Sequence, residues 1–116
     1  MDSILNSVKK ALGIDKEYKQ FDVDIIMHIN STFSVLTQLG VGPSEGFRIE
    51  DETAEWNSFI GDRNDLNMVK TYVFQKVKII FDPQSLSSAA LAAYKESIAE
   101  FEWRLNVAAD KPTISN

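Results

Sequence analysis

The 116-residue sequence contains no cysteine and a single histidine, His28. Without cysteine the chain cannot form a disulfide, bind a metal through thiolates or use a thiol nucleophile. A zinc site is close to excluded as well, because such sites are built largely from cysteine and histidine side chains. The lack of cysteine also fits synthesis in a reducing cytosol, without demonstrating it.

Long apolar runs and a surplus of basic residues are missing too. No stretch of about 18 apolar residues occurs, so we predict no transmembrane span. The N-terminus has acidic Asp2 ahead of its apolar residues and Lys9 and Lys10 behind them, the reverse of a signal peptide. The net charge is −5 and the basic residues are scattered, which gives no general attraction to a phosphate backbone. We therefore expect no membrane partner and no direct nucleic-acid binding.

The composition is that of one ordinary globular domain. Hydrophobic residues make up 44% and charged residues 25% of the sequence, which argues against wholesale disorder. A chain of 116 residues has room for one domain but not for two. We predict a single helical domain over residues 1–109. Residues 110–116 are polar and interrupted by Pro112, so we expect them to form a flexible C-terminal tail.

Apolar residues recur at steps of three and four, which predicts an all-α fold, a small bundle of four to five helices. The first helix is expected to start at Asp2 or Ser3 and to end at Gly13. The second should run from Asp22, as its N-cap, to Gly40. The later helices are expected over residues 54–60, from about 66 to 81 and from about 88 to 107.

Two segments leave alternatives open. Residues after Tyr72 are rich in β-branched side chains and would permit a strand, although their apolar spacing favours a helix. Residues 41–52 contain glycine and proline, which interrupt helices. Within them Phe47 and Ile49 alternate with polar neighbours, which is typical of a short extended piece. This segment is therefore expected to be an irregular loop, with a short β-hairpin as the alternative.

No group of residues forms a recognisable catalytic or metal site. His28 lies among isoleucines with no identifiable nucleophile, so a helix-surface or boundary histidine is favoured over a catalytic base. The acidic run at residues 50–52 lacks the spacing of a calcium loop and is interpreted as a solvated loop. Glu96 and Glu100 share a helix face near Arg104, as ordinary surface charges do. We expect no enzyme activity, no cofactor and no metal.

The aromatic residues are more informative. Trp103 lies roughly 160 to 200 degrees around its helix from the apolar stripe of Ile98, Phe101 and Leu105. A large aromatic in that position either packs beneath another element, such as the Trp56 segment or the first helix, or is offered to a partner. The candidate partner-contact residues within the domain are Trp56, Phe59 and Trp103.

Three stretches of the chain carry a family resemblance. They are ILNSVKKALGID at residues 4–15, FDVDIIMHINSTFSVLTQLGVG at residues 21–42 and KTYVFQKVKIIFDPQ at residues 70–84. Together they resemble the head–tail connector (adaptor) proteins of long-tailed bacteriophages, the group related to the HK97 and SPP1 connectors. The loop over residues 42–61 is more elaborate than the plain form of that pattern.

The resemblance implies a structural virion protein at the capsid–tail junction, made in the cytoplasm of a bacterial host. Such a protein would form a homo-oligomeric ring, usually of twelve copies, beneath the portal protein. The ring would extend the DNA channel, let DNA pass without specific binding and dock a neck (stopper) or tail-terminator protein. The C-terminal segment would reach toward the portal, with contact candidates Lys111, Pro112, Thr113 and Ile114. The alternative is a small helical protein-binding or regulatory module that forms no ring.

Overall fold

The computed structural model describes the backbone of residues 3–60 and 66–114 and the side chains of residues 3–59 and 67–107. In these ranges it contains five α-helices and one short 3₁₀ helix, and no strand. They are α1 (Ile4–Ala11), α2 (Asp22–Gln38), α3 (Trp56–Ile60), α4 (Leu66–Phe81), the 3₁₀ helix Pro83–Ser85 and α5 (Ser88–Ile114). The predicted all-α bundle is therefore confirmed.

Several helix ends follow local signals that the sequence displays. The hydroxyl of Ser3 accepts a hydrogen bond from the backbone N–H of Asn6 at 3.2 Å, which caps the start of α1. Gly13 and Gly40 have φ angles of 79° and 88° just beyond the ends of α1 and α2. Other residues rarely adopt this left-handed conformation, so these glycines end their helices as predicted.

The start of α2 differs from the prediction that Asp22 is its N-cap. Asp22 is the first helical residue and makes no capping bond, because its carboxylate accepts a hydrogen bond from the Lys9 ammonium at 2.7 Å. The Lys9 side chain is fully buried and also donates to the backbone carbonyls of Lys16, at 3.2 Å, and Tyr18, at 2.6 Å. One lysine thereby joins α1, the link after it and α2.

Helix α4 lies at the centre of the bundle and packs against α1, α2 and α5. Its buried face consists of Val69, Tyr72, Val73 and Val77. A helix brings all four to one side, because Tyr72 and Val73 lie three and four residues after Val69, whereas a strand would turn Tyr72 away from the three valines. The helix prediction for this segment is confirmed, and the strand alternative is wrong.

Residues 41–52 contain no strand, so the β-hairpin alternative is wrong. The Ile49 side chain turns into the core, and the Phe47 ring packs edge-on against Phe33 at a centroid distance of 5.5 Å. Both alternating apolar residues therefore pack against helix side chains rather than onto a sheet. A single isolated β-bridge in the described part of the chain joins Ser3 to Glu55.

Helix α5 is the longest of the described helices. Ile98 and Leu105 are buried against the bundle, and Phe101 is half-buried beside them. The helix reaches into residues 110–116, whose side chains lie outside the described residues. The flexibility of that tail stays a prediction. A membrane span would need a longer apolar run than any described helix provides.

Candidate protein-interaction surface

Two of the predicted contact residues, Trp56 and Phe59, are core residues. They are only 2% and 3% exposed. The indole N–H of Trp56 donates to the Ser7 hydroxyl at 2.8 Å, and the Phe59 ring stacks on Phe33 at a centroid distance of 4.5 Å. These contacts hold the segment after the loop onto α1 and α2. Neither side chain lies at the surface of the folded chain.

Trp103 is placed differently, since 67% of its surface is exposed. The alternative in which it packs beneath Trp56 or the first helix is therefore wrong. Val107 is exposed one turn further along α5, and Ala99 and Glu96 continue the same face toward the N-terminus. This outward face, formed by Glu96, Ala99, Trp103 and Val107, is called the α5 stripe below.

A second exposed apolar surface lies on the outward face of α2. Val23 and Met27 are 77% and 55% exposed, and Ile26 is half-buried beside them. Together with the chain around Arg48 they form an open groove, called the α2 groove below. Its lining residues are Val23, Ile26, Met27, Asn30, Ser31, Ser34 and Arg48. This surface was not predicted from the sequence, although Val23 and Met27 are spaced one helical turn apart.

Asn30 fixes the wall of the α2 groove. Its side-chain N–H donates to the Ile49 carbonyl at 3.0 Å, and its side-chain oxygen accepts from the Ile49 backbone N–H at 2.8 Å. The Ile49 side chain is buried, whereas the preceding Arg48 is exposed at the rim of the groove. Arg48 forms no ion pair with any other described residue. The groove therefore combines apolar side chains with an arginine that has no ion-pair partner among the described residues.

The carboxylates of α5 have distinct surroundings. Glu100 forms an exposed ion pair with Arg104 at 2.6 Å, as expected for surface charges. Glu102 accepts hydrogen bonds from the Tyr72 hydroxyl at 2.8 Å and from the Lys76 ammonium at 3.2 Å, which joins α5 to α4. Burial of the phenol and its bond to Glu102 raise the pKa of Tyr72. Glu96 is exposed and has no ion-pair partner among the described residues.

The other candidates for chemistry also have structural partners. The half-buried His28 ring meets Phe81 edge-on at a centroid distance of 6.2 Å. The exposed Asp51 carboxylate accepts hydrogen bonds from the hydroxyl and the backbone N–H of Thr53, which lower the pKa of Asp51. Within the described ranges, no three His, Cys, Asp or Glu side chains lie close enough together to hold a metal ion.

The C-terminal contact candidates cannot be placed relative to these two surfaces. Lys111, Pro112, Thr113 and Ile114 have side chains outside the described residues. Their contact with a partner stays a prediction, as does that of Trp103.

The family model of the phage connector proteins matches the chain over residues 4–112. The matched range includes α1 to α4 and nearly all of α5, together with the three stretches on which the resemblance rests. No curated protein and no solved structure matches the chain.

Proposed function

The chain belongs to the phage connector protein family, and from that premise we propose that its copies form a ring beneath the portal protein. The ring extends the DNA channel and docks the next neck or tail protein. The connector role, and with it a place in the virion, follows from family membership. We propose further that the ring has twelve copies and contacts the portal directly. We also propose that the chain is of the HK97 and SPP1 subtype and is made in the host cytoplasm.

The observation that best supports a ring is that exposed apolar side chains lie on the outward faces of two different helices of one small domain. A contiguous exposed apolar surface often marks a protein–protein contact. A cyclic ring needs two different surfaces on each subunit, which meet head to tail around the ring. The α5 stripe and the α2 groove are two such surfaces on different helices. A regulatory module that binds one partner would need only one of them.

In the proposed role the protein neither catalyses a reaction nor binds DNA specifically. Several of the groups that could serve as acids or bases are held by structural partners: His28 by Phe81, Glu102 by Tyr72 and Asp51 by Thr53. The net charge of −5 suits a channel through which DNA slides, because carboxylates repel phosphates. This charge is compatible with the proposal and does not by itself favour it.

Electron microscopy tests the ring directly. We expect the isolated protein to be monomeric or weakly associated and to close into a ring on the portal. Purified protein is mixed in excess with the portal protein of the same phage, and the particles are compared with portal alone. The expected result is an added ring of density on one end of the portal. Portal particles without added density would contradict the proposal and favour the module that forms no ring.

A further inference from the structure

The two exposed surfaces fit each other. We propose that the α5 stripe of one copy packs antiparallel into the α2 groove of a second copy, with Trp103 against Val23 and Met27 and with Glu96 facing Arg48. This inference rests on the proposed ring and adds which residues form the contact between neighbouring copies. A second copy is the favoured occupant because the apolar parts and the charges of the two surfaces are complementary.

The exposure of the two surfaces leaves both of them available for a contact between copies. Helix α4 packs against both α2 and α5, whereas α2 and α5 make few contacts with each other. Val23, Met27 and Trp103 are each more than half exposed, so the two outward faces do not cover each other within one chain. The α5 stripe does not occupy the α2 groove of its own chain. It can reach that of the next copy, which is the heterologous contact from which rings are built.

Apolar and polar positions have the same seven-residue spacing along the two helices. On α5, Glu96 precedes Trp103 by seven residues, about 10 Å along the same face of a helix. On α2, Val23 precedes Asn30 by seven residues, and Asn30 is the residue that holds the chain beside Arg48. The apolar residue is N-terminal to the polar one on α2, whereas it is C-terminal to the charged one on α5. The two patterns therefore align only when the helices run antiparallel.

The chemistry of the contact is favourable at both ends. Tryptophan is among the residues that contribute most to protein–protein contacts, and methionine adapts its shape to an aromatic ring. Arg48 and Glu96 have opposite charges, and neither forms an ion pair with another described residue. Ala99 lies between Glu96 and Trp103 and leaves room for the second helix to approach.

Crosslinking through introduced cysteines tests the contact and its direction. The natural chain has no cysteine, so the introduced thiols are the only ones present. Ser31→Cys and Ala99→Cys are combined in one chain, because both residues are exposed and the five contact residues named above stay intact. The control combines Ser31→Cys with Ser88→Cys, which is exposed on the same face of α5 but about 16 Å from Ala99. A thiol-specific crosslinker that spans about one helical turn is added at high protein concentration, so that even weak association is trapped covalently.

The expected result is a ladder of covalent multimers from the Ser31→Cys, Ala99→Cys chain and none from the control chain. No ladder, or equal ladders from both chains, would overturn the proposed contact. The two experiments distinguish the two proposals. A ring on the portal without a crosslinked ladder would contradict the proposed contact but support the ring. A ladder without added density on the portal would support the contact but contradict the ring on the portal.

Charge reversal tests the pairing of Arg48 with Glu96. Arg48→Glu and Glu96→Arg are each expected to weaken association about two- to fivefold, the usual effect of an exposed ion pair. The chain that carries both reversals is expected to associate as the wild type does, as measured by sedimentation equilibrium. Circular dichroism confirms that each variant is folded. Single variants that associate normally, or a double variant that stays weak, would overturn the pairing.

Discussion

Asn30 makes both backbone hydrogen bonds of Ile49 through its side-chain amide, at 3.0 Å to the carbonyl and 2.8 Å from the N–H. The two residues lie 19 positions apart in the sequence. One side chain thus supplies the partners that a neighbouring strand would supply in a hairpin. It also fixes the loop that carries Arg48 along the α2 groove.

Replacing this amide is expected to loosen the loop. Asn30→Ala leaves the N–H and the carbonyl of Ile49 without these partners, which should cost about 2 kcal/mol of unfolding free energy. The Ile49 amide proton should also exchange faster with solvent. Urea unfolding and NMR hydrogen exchange measure the two effects. Ser34→Ala is the control, because Ser34 is exposed and its hydroxyl bonds only to its own helix. An Ile49 amide that stays protected in Asn30→Ala would contradict this role.

The buried Lys9 should contribute far more to stability than its neighbour Lys10. Lys9→Met removes a cation from the Asp22 carboxylate and two carbonyls, and breaking such a pair should cost about 3 kcal/mol. Lys10→Met, at an exposed position, should change stability by less than about 0.5 kcal/mol. Adding Asp22→Asn to Lys9→Met should restore part of the loss, because no unpaired carboxylate remains. Equal unfolding free energies for the two single lysine variants would contradict this account.

The raised pKa of Tyr72 predicts a loss of stability at alkaline pH. The folded chain holds the phenol proton more tightly than the unfolded chain, whose tyrosines titrate near pH 10, about the usual pKa. The stabilisation is therefore complete below about pH 10 and decreases as the pH rises further. Urea unfolding across this range compares the wild type with Tyr72→Phe, which lacks the phenol. The wild type should lose more stability than the variant, and parallel curves would contradict the prediction.

Deleting residues 111–116 tests the proposed role of the C-terminal segment. The deletion is expected to change the unfolding free energy by less than about 0.5 kcal/mol, because it lies beyond Leu105, the last buried residue of α5 in the described range. Binding to the portal should weaken, as measured by co-sedimentation. A large loss of stability would place the segment in the core instead. Unchanged portal binding would show that it makes no portal contact.

Local sequence patterns predicted the helices well because helix formation depends on near neighbours. The three-residue step from Leu66 to Val69, followed by four-residue steps to Val73 and Val77, was enough to favour a helix for α4, and Ser3 and Gly13 were enough to mark the ends of α1. Contacts between distant residues could not be predicted in this way. The alternation around Ile49 is compatible with a hairpin, and only its contact with Asn30 shows otherwise. Asp22 has the local pattern of a cap, but a lysine 13 residues away binds its carboxylate.

The interaction surface was predictable in part. The helical phase of Trp103 places it away from the core, and its exposure agrees with that position. Trp56 lies in a helix of five residues, too short for its phase to indicate burial, and the aromatic cluster around it brings together distant segments. Val23 and Met27 were missed because the stronger isoleucine stripe on α2 defined its inner face. Their four-residue spacing on the opposite face was the available signal.

Mixing two variants with different broken surfaces tests the head-to-tail contact most directly. Met27→Glu damages the α2 groove, and Trp103→Glu damages the α5 stripe. Each variant alone should stay monomeric in sedimentation velocity at protein concentrations where the wild type associates. A mixture of the two retains one intact groove and one intact stripe, so the account predicts a one-to-one dimer and nothing larger. A mixture that stays monomeric, or either variant assembling as the wild type does, would contradict it.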